Sequence, residues 1–433
     1  MRPVRLAVPA LLLLAGVPLA GGARMGSSQG GMAAERPIRV LLLEAPLITV
    51  GAAGKEGLEL RDQTGRSVLK VQPGRQLRIA RRGETIAIEP VPGGPGVPSL
   101  DSSVVLGEGP EPKPLPPLPL QDLRLEPIDP QGLMVLKQRR YRGTLLLRPE
   151  GQGLQAINRL PLESYLAGVV GSEMPGSWPL AALKAQAVAS RTYALQQLRP
   201  KAPFDLKATV SSQVYEGVET ESVPVRQAVA STRSRVLMHG QHLINAVFHS
   251  SSGGITENSG DLWSRQLPYL VSVPDFDNAS PVSRWEKAIS PEALRQAFAE
   301  TGGVTTIEAI ESSRTGRVRQ VKVVGPLGEL VLTGSALRQR LGLRSTLVQF
   351  HLEPAERLEI AGGAMPETPP GTTMAPPPAI SPLVEGPRLV VKGRGYGHGV
   401  GMSQWGAYAL ALQGKSYEDI LRYYYRGAVL RTF

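Results

Sequence analysis

The 433-residue sequence contains no cysteine. This absence excludes a disulfide framework, a thiolate metal site and a cysteine nucleophile. Two of the five histidines, His239 and His242, have a spacing that a metal pair could use. Because His249 is the only other histidine nearby, we interpret the pair as surface polar residues. We expect no metal and no cofactor.

The chain also lacks an apolar run long enough to span a bilayer comfortably. Its amino end has Arg2 and Arg5, an apolar stretch from Leu6 to about Leu19, and small residues up to Ala23. This order is typical of a secretory signal peptide over residues 1–23. No cysteine follows the stretch, which excludes a lipoprotein anchor. We expect export to the periplasm or cell envelope, with an uncleaved membrane anchor as the alternative.

Several motifs that assign a function are missing: a G-x-S-x-G elbow, a phosphate-binding loop, an internal repeat, and a basic stripe interleaved with aromatics. Nucleic acid is therefore not an expected partner. Lysine and arginine number 48 against 37 acidic residues, a formal net charge of +11. An exported protein of this charge suits an anionic partner such as wall glycan, an anionic polymer or a lipid surface.

Proline and glycine, by contrast, are abundant and divide the chain. Residues 36–90 alternate short apolar runs with turn signals and predict a small β-rich module. Residues 91–120 predict a stiff proline-rich linker. Residues 121–433 mix strand and helix patterns, with a proline-rich insertion at 362–387. We expect an α+β fold: a mixed strand–helix domain with a cleft, preceded by the β-rich module and the linker.

One acid, Glu173, follows a helical pattern over Leu162–Val170 and precedes two prolines that break the chain. Its neighbours in sequence, among them Met174 and Trp178, are apolar. Desolvation there would raise the pKa of the carboxyl and keep it protonated near neutral pH, as a general acid requires. The alternative is a solvated or capping glutamate at a helix end.

A second helical pattern over Leu180–Leu198 is rich in alanine. Gln186, Ser190 and Tyr193 share one face of it, and we expect this polar stripe to line the cleft. Arg191 lies on the same helix and is a candidate cation for an anionic ligand.

Residues 248–263, FHSSSGGITENSGDLW, form a polar segment that we call the serine segment. His249, Ser250, Ser251 and Gly253 lie where small residues let the backbone approach a ligand closely. A loop that binds a hydroxyl-rich ligand and a simple turn both fit this pattern. A serine hydrolase is disfavoured, because no ordered aspartate partner is evident.

Residues 393–407, GRGYGHGVGMSQWGA, form a glycine-rich segment. His398, Ser403, Gln404 and Trp405 supply the stacking and hydrogen-bonding groups that suit sugars. Arg394 adds a second candidate cation. The alternative is a structural glycine-rich bend.

Taken in order, the motifs resemble those of the stage II sporulation protein D family, which includes amidase-enhancer proteins. The resemblance covers roughly residues 140–430. It rests on five blocks: LPLESYLAGVVGSEMP, WPLAALKAQAVASRTYAL, ATVSSQVYEG, the serine segment and RGYGHGVGMSQWGAYALA.

This resemblance implies a peptidoglycan lytic transglycosylase that cleaves MurNAc–GlcNAc bonds of peptide-stripped glycan and leaves 1,6-anhydro-MurNAc ends. It places the catalytic acid at Glu173 and implies glycan strands, and a cell-wall amidase, as partners. It also implies wall remodelling or a sporulation-type process. A non-catalytic wall-binding protein that enhances an amidase is the alternative. Some members hold zinc near the stretch at residues 204–217, but with no cysteine here we expect none.

Overall fold

A computed structural model describes residues 36–91, 115–354 and 387–433. The predicted signal peptide at 1–23 lies outside the described residues. So do residues 92–114 of the predicted linker and nearly all of the insertion predicted at 362–387.

The amino-terminal part of the described chain forms two large sheets. One has seven strands in the order β13-β1-β12-β11-β8-β3-β4, and the other has six in the order β10-β9-β2-β5-β6-β7. The strand bounds are β1 Pro37–Ala45, β2 Leu47–Ala53, β3 Leu58–Arg61, β4 Ser67–Val71, β5 Gln76–Arg82, β6 Thr85–Pro90, β7 Leu118–Pro119, β8 Leu123–Pro127, β9 Leu133–Leu136, β10 Arg139–Tyr141, β11 Thr144–Glu150, β12 Gly153–Pro161 and β13 Leu206–Lys207.

The β-rich segment at 36–90 is therefore not the separate module that the sequence predicted. Strand β1 pairs antiparallel with β12 along its length, and β2 pairs with β9. Strand β7, inside the predicted linker, pairs with β6. The physical reason is that the apolar face of each sheet needs a partner. Val40 and Ile48 share one core with Leu145 and with Leu166 of the helical region.

Eight α-helices lie in the described residues. Their bounds are α1 Leu162–Glu173, α2 Leu180–Gln196, α3 Val223–Ser231, α4 Ser259–Leu262, α5 Pro291–Ala297, α6 Gly334–Arg340, α7 Gln404–Leu412 and α8 Tyr417–Tyr424. The two predicted helices around Glu173 are confirmed as α1 and α2. Among the described residues, no helix combines the length and apolarity that crossing a membrane would require.

Prolines set the limits of this helix pair. Pro161 and Pro179 are the N-cap residues of α1 and α2. Met174 is extended (φ −134°, ψ 141°) because the following Pro175 disfavours helical geometry in the residue before it. Twelve of the 17 residues of α2 are buried, and its alanines let α1, α3, α7 and α8 pack closely around it.

The remaining strands form small sheets. Their bounds are β14 Arg235–His239, β15 His242–Leu243, β16 Phe248–His249, β17 Arg284–Ile289, β18 Thr306–Ser312, β19 Val318–Gly325, β20 Gly328–Thr333, β21 Val348–Glu353, β22 Arg388–Arg394, β23 Met402–Ser403 and β24 Val429–Thr432. The sheets β17-β22-β21 and β18-β19-β20, with α5 and α6, enclose a second core that includes Phe298, Val321 and Leu337. The predicted mixture of helices and strands is confirmed.

Candidate active site

Glu173 is the last residue of α1, and its carboxylate accepts two hydrogen bonds. The Val214 backbone N–H donates to Oε1 over 2.9 Å, and the Gln404 side-chain amide donates from Nε2 to Oε2 over 3.1 Å. Neither Val214 nor Gln404 is close to Glu173 in the sequence. The carboxyl is thus held between the loop that follows β13 and the first residue of α7.

The surroundings of Glu173 shift its proton affinity. Burial raises the pKa of the carboxyl from 4.5 to about 6, and the two hydrogen-bond donors partly oppose this shift because they favour the charged form. The residue itself stays partly exposed to solvent. The group can therefore both release and accept a proton close to neutral pH.

The loop that presents Val214 is anchored to both helices of the pair. The Tyr165 hydroxyl donates to Gln213 Oε1 over 3.0 Å, and Gln213 Nε2 donates to the Ser190 carbonyl over 3.3 Å. All three side chains are buried. This anchoring fixes the N–H of the next residue, Val214, in front of Glu173.

The glycine-rich segment reaches Glu173 through the start of α7. Ser403 is buried, and its Oγ caps α7 by accepting from the Gly406 N–H over 3.2 Å. Strand β23, which ends at Ser403, pairs in parallel with β16, so Phe248 faces Met402 and His249 faces Ser403. The structure thereby brings the serine segment and the glycine-rich segment side by side.

Three aromatic rings cluster at the start of α7, where Gln404 donates to Glu173. The ring centroids of Trp178 lie 4.9 Å from those of both Trp405 and Tyr408, and Trp405 and Tyr408 are 5.5 Å apart. The Trp405 backbone N–H donates to the Ser250 carbonyl over 3.0 Å. All three rings are only half-buried, so part of this aromatic cluster remains open to a ligand.

The two histidines predicted to bind a substrate are His249 and His398. Both are neutral, and their ring centroids lie 5.4 Å apart. Burial, with the nearby Arg317 charge, lowers the pKa of His249 to about 3, and burial likewise lowers that of His398. His249 Nδ1 lies 3.1 Å from the Val400 carbonyl and must donate, whereas His398 Nδ1 accepts from the Val400 N–H over 3.0 Å. Both rings thus hold the glycine-rich segment in shape.

Ser251 and Gly253 are held by a single carboxylate. Asp277 accepts from the Ser251 hydroxyl and, over 2.8 Å, from the Gly253 N–H. Gly253 has φ +82°, and a Cβ there would stand 2.8 Å from that of Arg394. Because Asp277 bonds the serine directly rather than through His249, the groups do not form a Ser–His–Asp relay.

The predicted role of Arg191 as a ligand-binding cation is wrong. Its side chain is 1% exposed and ion-pairs with Glu163, Nη2 to Oε2, over 2.7 Å. The same guanidinium donates to the Val229 and Arg235 carbonyls. A fully buried residue of α2 cannot meet a polymer, and this one instead ties α1 to the segments around α3.

The predicted polar stripe on α2 is also largely internal. Gln186 and Ser190 are fully buried, and Gln186 Nε2 donates to Ser190 Oγ over 3.0 Å. Only Tyr193 is half-buried, and burial raises its pKa. Because other helices and strands surround α2, the polar side chains on this side of the helix are shielded from solvent. Arg394, by contrast, is exposed.

Val214, Trp178 and Tyr408 were not among the predicted site residues. Trp178 and Tyr408 are aromatic residues within recognised motif blocks, which was a usable signal. The Val214 N–H is a backbone group, and no side-chain pattern could have identified it.

In the described parts of the chain, no group of three or more histidine, aspartate or glutamate side chains lies close enough together to hold a metal ion. His239 and His242 face each other across the hairpin of β14 and β15.

Comparison with known proteins gives consistent matches. The family model described as "Stage II sporulation protein" matches residues 150–239. Stage II sporulation protein D of Bacillus subtilis is 30% identical over 292 residues, which cover 63% of this chain and 75% of that protein. An uncharacterised protein of Brachyspira hyodysenteriae is 32% identical over 290 residues, covering 66% and 71% respectively.

A further relative is larger than this chain. The protein named "Amidase enhancer" of Bacillus subtilis is 30% identical over 291 residues, covering 62% of this chain but 40% of that protein.

Proposed function

Because this chain belongs to the stage II sporulation protein D family, we propose that it is an exported lytic transglycosylase of peptidoglycan. Its substrate is glycan stripped of stem peptides, and it cleaves the bond between MurNAc and GlcNAc. The products end in 1,6-anhydro-MurNAc. The protein acts in wall remodelling or a sporulation-type process.

The observation that carries this proposal is the environment of Glu173. Burial raises the pKa of the Glu173 carboxyl to about 6, and its two hydrogen-bond partners are amides, so neither of them is a second acid. Hydrolysis of a glycosidic bond ordinarily uses two carboxyls that flank the bond. A transglycosylase needs one, which acts first as acid and then as base.

The reaction balances without water. Protonated Glu173 gives its proton to the glycosidic oxygen as the bond from C1 of MurNAc breaks. The C6 hydroxyl of the same sugar attacks C1, and the Glu173 carboxylate takes the hydroxyl proton. The glycosidic bond from C1 to the leaving oxygen is exchanged for an internal C1–O6 bond, the 1,6-anhydro bridge, and the enzyme returns to its starting protonation state. The amide donors of Val214 and Gln404 stabilise the carboxylate that forms between the two steps.

The aromatic cluster of Trp178, Trp405 and Tyr408 supplies a sugar platform at the start of α7, where Gln404 donates to Glu173. Aromatic faces pack on the C–H faces of pyranose rings, and these three rings are partly exposed. We place the glycan across the surface where Glu173 meets the glycine-rich segment, in the cleft that the sequence predicts.

Mass spectrometry of digested wall material tests the proposal. Purified protein is incubated with peptidoglycan that an amidase has already stripped of peptides. Products one water lighter than hydrolytic fragments, absent from digests with the Glu173→Gln variant, are expected. Fragments carrying an added water would show hydrolysis instead, and no fragments at all would remove the enzymatic function.

The match to a protein named amidase enhancer favours a second candidate, a wall-binding protein that stimulates an amidase. The same variant separates the two. If Glu173→Gln stimulates a wall amidase as strongly as the unaltered protein does, and neither releases anhydro products, the enhancer function holds. Loss of both activities in the variant favours the transglycosylase.

A further inference from the structure

A pocket of about 600 Å³ lies on the outer face of the seven-stranded sheet. Strands β1, β12, β11 and β8 form its floor, and residues 198–205, which follow α2, form one wall. None of its lining residues is Glu173 or a hydrogen-bond partner of Glu173. The pocket is therefore separate from the candidate active site.

Five cations and one acid line this pocket: Arg39, Arg124, Arg148, Arg159, Lys201 and Asp205. Asp205 already accepts from the Arg39 side chain, Nη2 to Oδ1 over 2.7 Å and Nε to Oδ2 over 3.1 Å, and from the backbone N–H groups of Arg39 and Arg199, so each of its oxygens accepts two hydrogen bonds. It has no capacity left for the other cations. The wall is thus fixed by one ion pair, and the other four cations have no acid partner among the residues that line the pocket.

The side chains of three of the cations have no hydrogen-bond or ion-pair partner within the part of the chain that the structure describes: Arg148, Arg159 and Lys201. Among the described residues, the Arg124 side chain pairs only with Glu126, over 3.2 Å. An unpaired guanidinium in a concave site is a ready donor of paired hydrogen bonds to a carboxylate or phosphate.

The pairing of the strands adds a second observation. Arg39 of β1 stands directly opposite Arg159 of β12. Like charges in directly opposed positions destabilise a sheet. Asp205 relieves this repulsion at Arg39 only. An anion bound beside Arg159 would relieve the rest.

The spread of the charges limits the ligand. Four adjacent strands at about 4.8 Å spacing separate the outermost cations by roughly 14 Å. A single small anion cannot contact all of them, so the ligand carries several anionic groups along an extended backbone. Leu146 and Ile157, which pair across β11 and β12, give the pocket an apolar floor between the cations.

The geometry points to a second glycan site, in which this pocket binds the lactyl carboxylates of peptide-stripped glycan away from Glu173. The inference rests on the proposed function for the identity of the polymer. The apolar floor favours a sugar polymer, whose rings present C–H faces, over a phosphodiester chain. The site would hold a long strand while other parts of it meet Glu173, and stem peptides that occupy the carboxylates would prevent this contact.

Charge reversal on the full chain tests the inference. Arg148→Glu/Arg159→Glu changes two unpaired residues of the pocket. Arg233→Glu/Arg314→Glu is the matched control, because both arginines are exposed and lie outside the pocket. Each pair is combined with Glu173→Gln so that binding of stripped glycan is measured without cleavage. Circular dichroism and thermal melting confirm that the variants are folded.

At about 50 mM salt the pocket variant should bind stripped glycan at least about tenfold more weakly than the control, since two charge-assisted contacts are lost. The difference should shrink by 500 mM, where the Debye length is about 4 Å instead of about 14 Å. Stripped glycan with its carboxylates converted to amides should bind both variants equally. Equal affinity of the two variants for unmodified glycan would overturn the site.

Two further experiments distinguish a wrong ligand from a wrong enzymatic function. If the pocket variant loses affinity for a poly(glycerol phosphate) chain but not for glycan, the assigned ligand is wrong. Cleavage of a stripped tetrasaccharide is measured on chains that retain Glu173. The pocket variant should cleave it at the unaltered rate, because so short a ligand need not span both sites. Lack of cleavage by every chain would refute the proposed enzyme while the binding result still stands on its own.

Discussion

Gln404 Nε2 donates to Glu173 Oε2 over 3.1 Å, which joins residues 231 positions apart. Gln404 opens α7 and Glu173 closes α1, so this bond ties the glycine-rich segment to the helix pair. It also contributes to the pKa of the candidate acid, which burial raises. A donor to the carboxylate favours its charged form and partly offsets the effect of burial.

Glu173→Gln should lower the cleavage rate by about 10²–10⁴-fold, because an amide cannot deliver a proton to the leaving oxygen. The stability of the variant toward urea is the control, because it shows whether a loss of rate comes from unfolding. Burial raises the pKa of this carboxyl from 4.5 to about 6, so its ionisation costs roughly 2 kcal/mol of stability above pH 6 and nothing below pH 4.5. The variant should therefore resist urea at pH 7.5 at least as well as the unaltered protein. A folded variant with a near-normal rate would remove Glu173 from the mechanism.

The pH profile of kcat/KM should fall above about pH 6. The first step needs the protonated carboxyl, and the Glu173 pKa of about 6 sets where the free enzyme loses it. The expected slope is about tenfold per pH unit, measured on soluble stripped glycan between pH 5 and pH 8. His249 should not contribute to the profile in this range, because its pKa lies near 3. A flat profile up to pH 8 would contradict proton donation by Glu173.

Gln404→Met should move that limb of the profile to higher pH. The substitution keeps the length of the side chain but removes the amide that donates to the carboxylate, so the pKa of Glu173 rises. Rates measured at pH 5 and pH 8 give the shift directly. A lower rate at every pH without a shift would assign Gln404 a packing role instead.

Trp405→Ala should weaken glycan binding by roughly 1–3 kcal/mol if its face stacks on a sugar. The ring also contacts Trp178 and Tyr408, so thermal stability must be followed together with affinity. Trp405→Phe is the matched variant, because it retains an aromatic face and should recover most of the binding. A large stability loss with unchanged affinity in the folded fraction would place Trp405 in packing alone.

Arg191→Met should destabilise the protein by about 3–5 kcal/mol, since it leaves Glu163 without its buried partner. Adding Glu163→Gln should restore part of that stability. The urea midpoint gives the first effect, and glycan affinity of the folded fraction should be unchanged. A selective loss of affinity with normal stability would restore Arg191 as a ligand-binding residue.

Local patterns in the sequence determined the helix pair and the position of Glu173. Proline fixes φ and restricts the residue before it, so Pro161, Pro175 and Pro179 set the helix limits whatever packs around them. The helical pattern over Leu162–Val170 predicted α1, and its apolar residues Leu162, Leu166, Val169 and Val170 are all buried. These conclusions depend on residues within a few positions of one another in the chain, and such local effects can be predicted from the sequence.

Tertiary structure alone decided which polar groups face solvent and which segments meet. Arg191 and Gln186 have ordinary sequence surroundings and became buried because neighbouring elements cover α2 from several sides. The segment at 36–90 joined the main core because the apolar faces of its strands required those of β8, β9 and β12. The pairs Glu173–Gln404, Glu173–Val214 and Arg39–Arg159 lie far apart in sequence. Long-range packing brings them together, and a single sequence records no such distance.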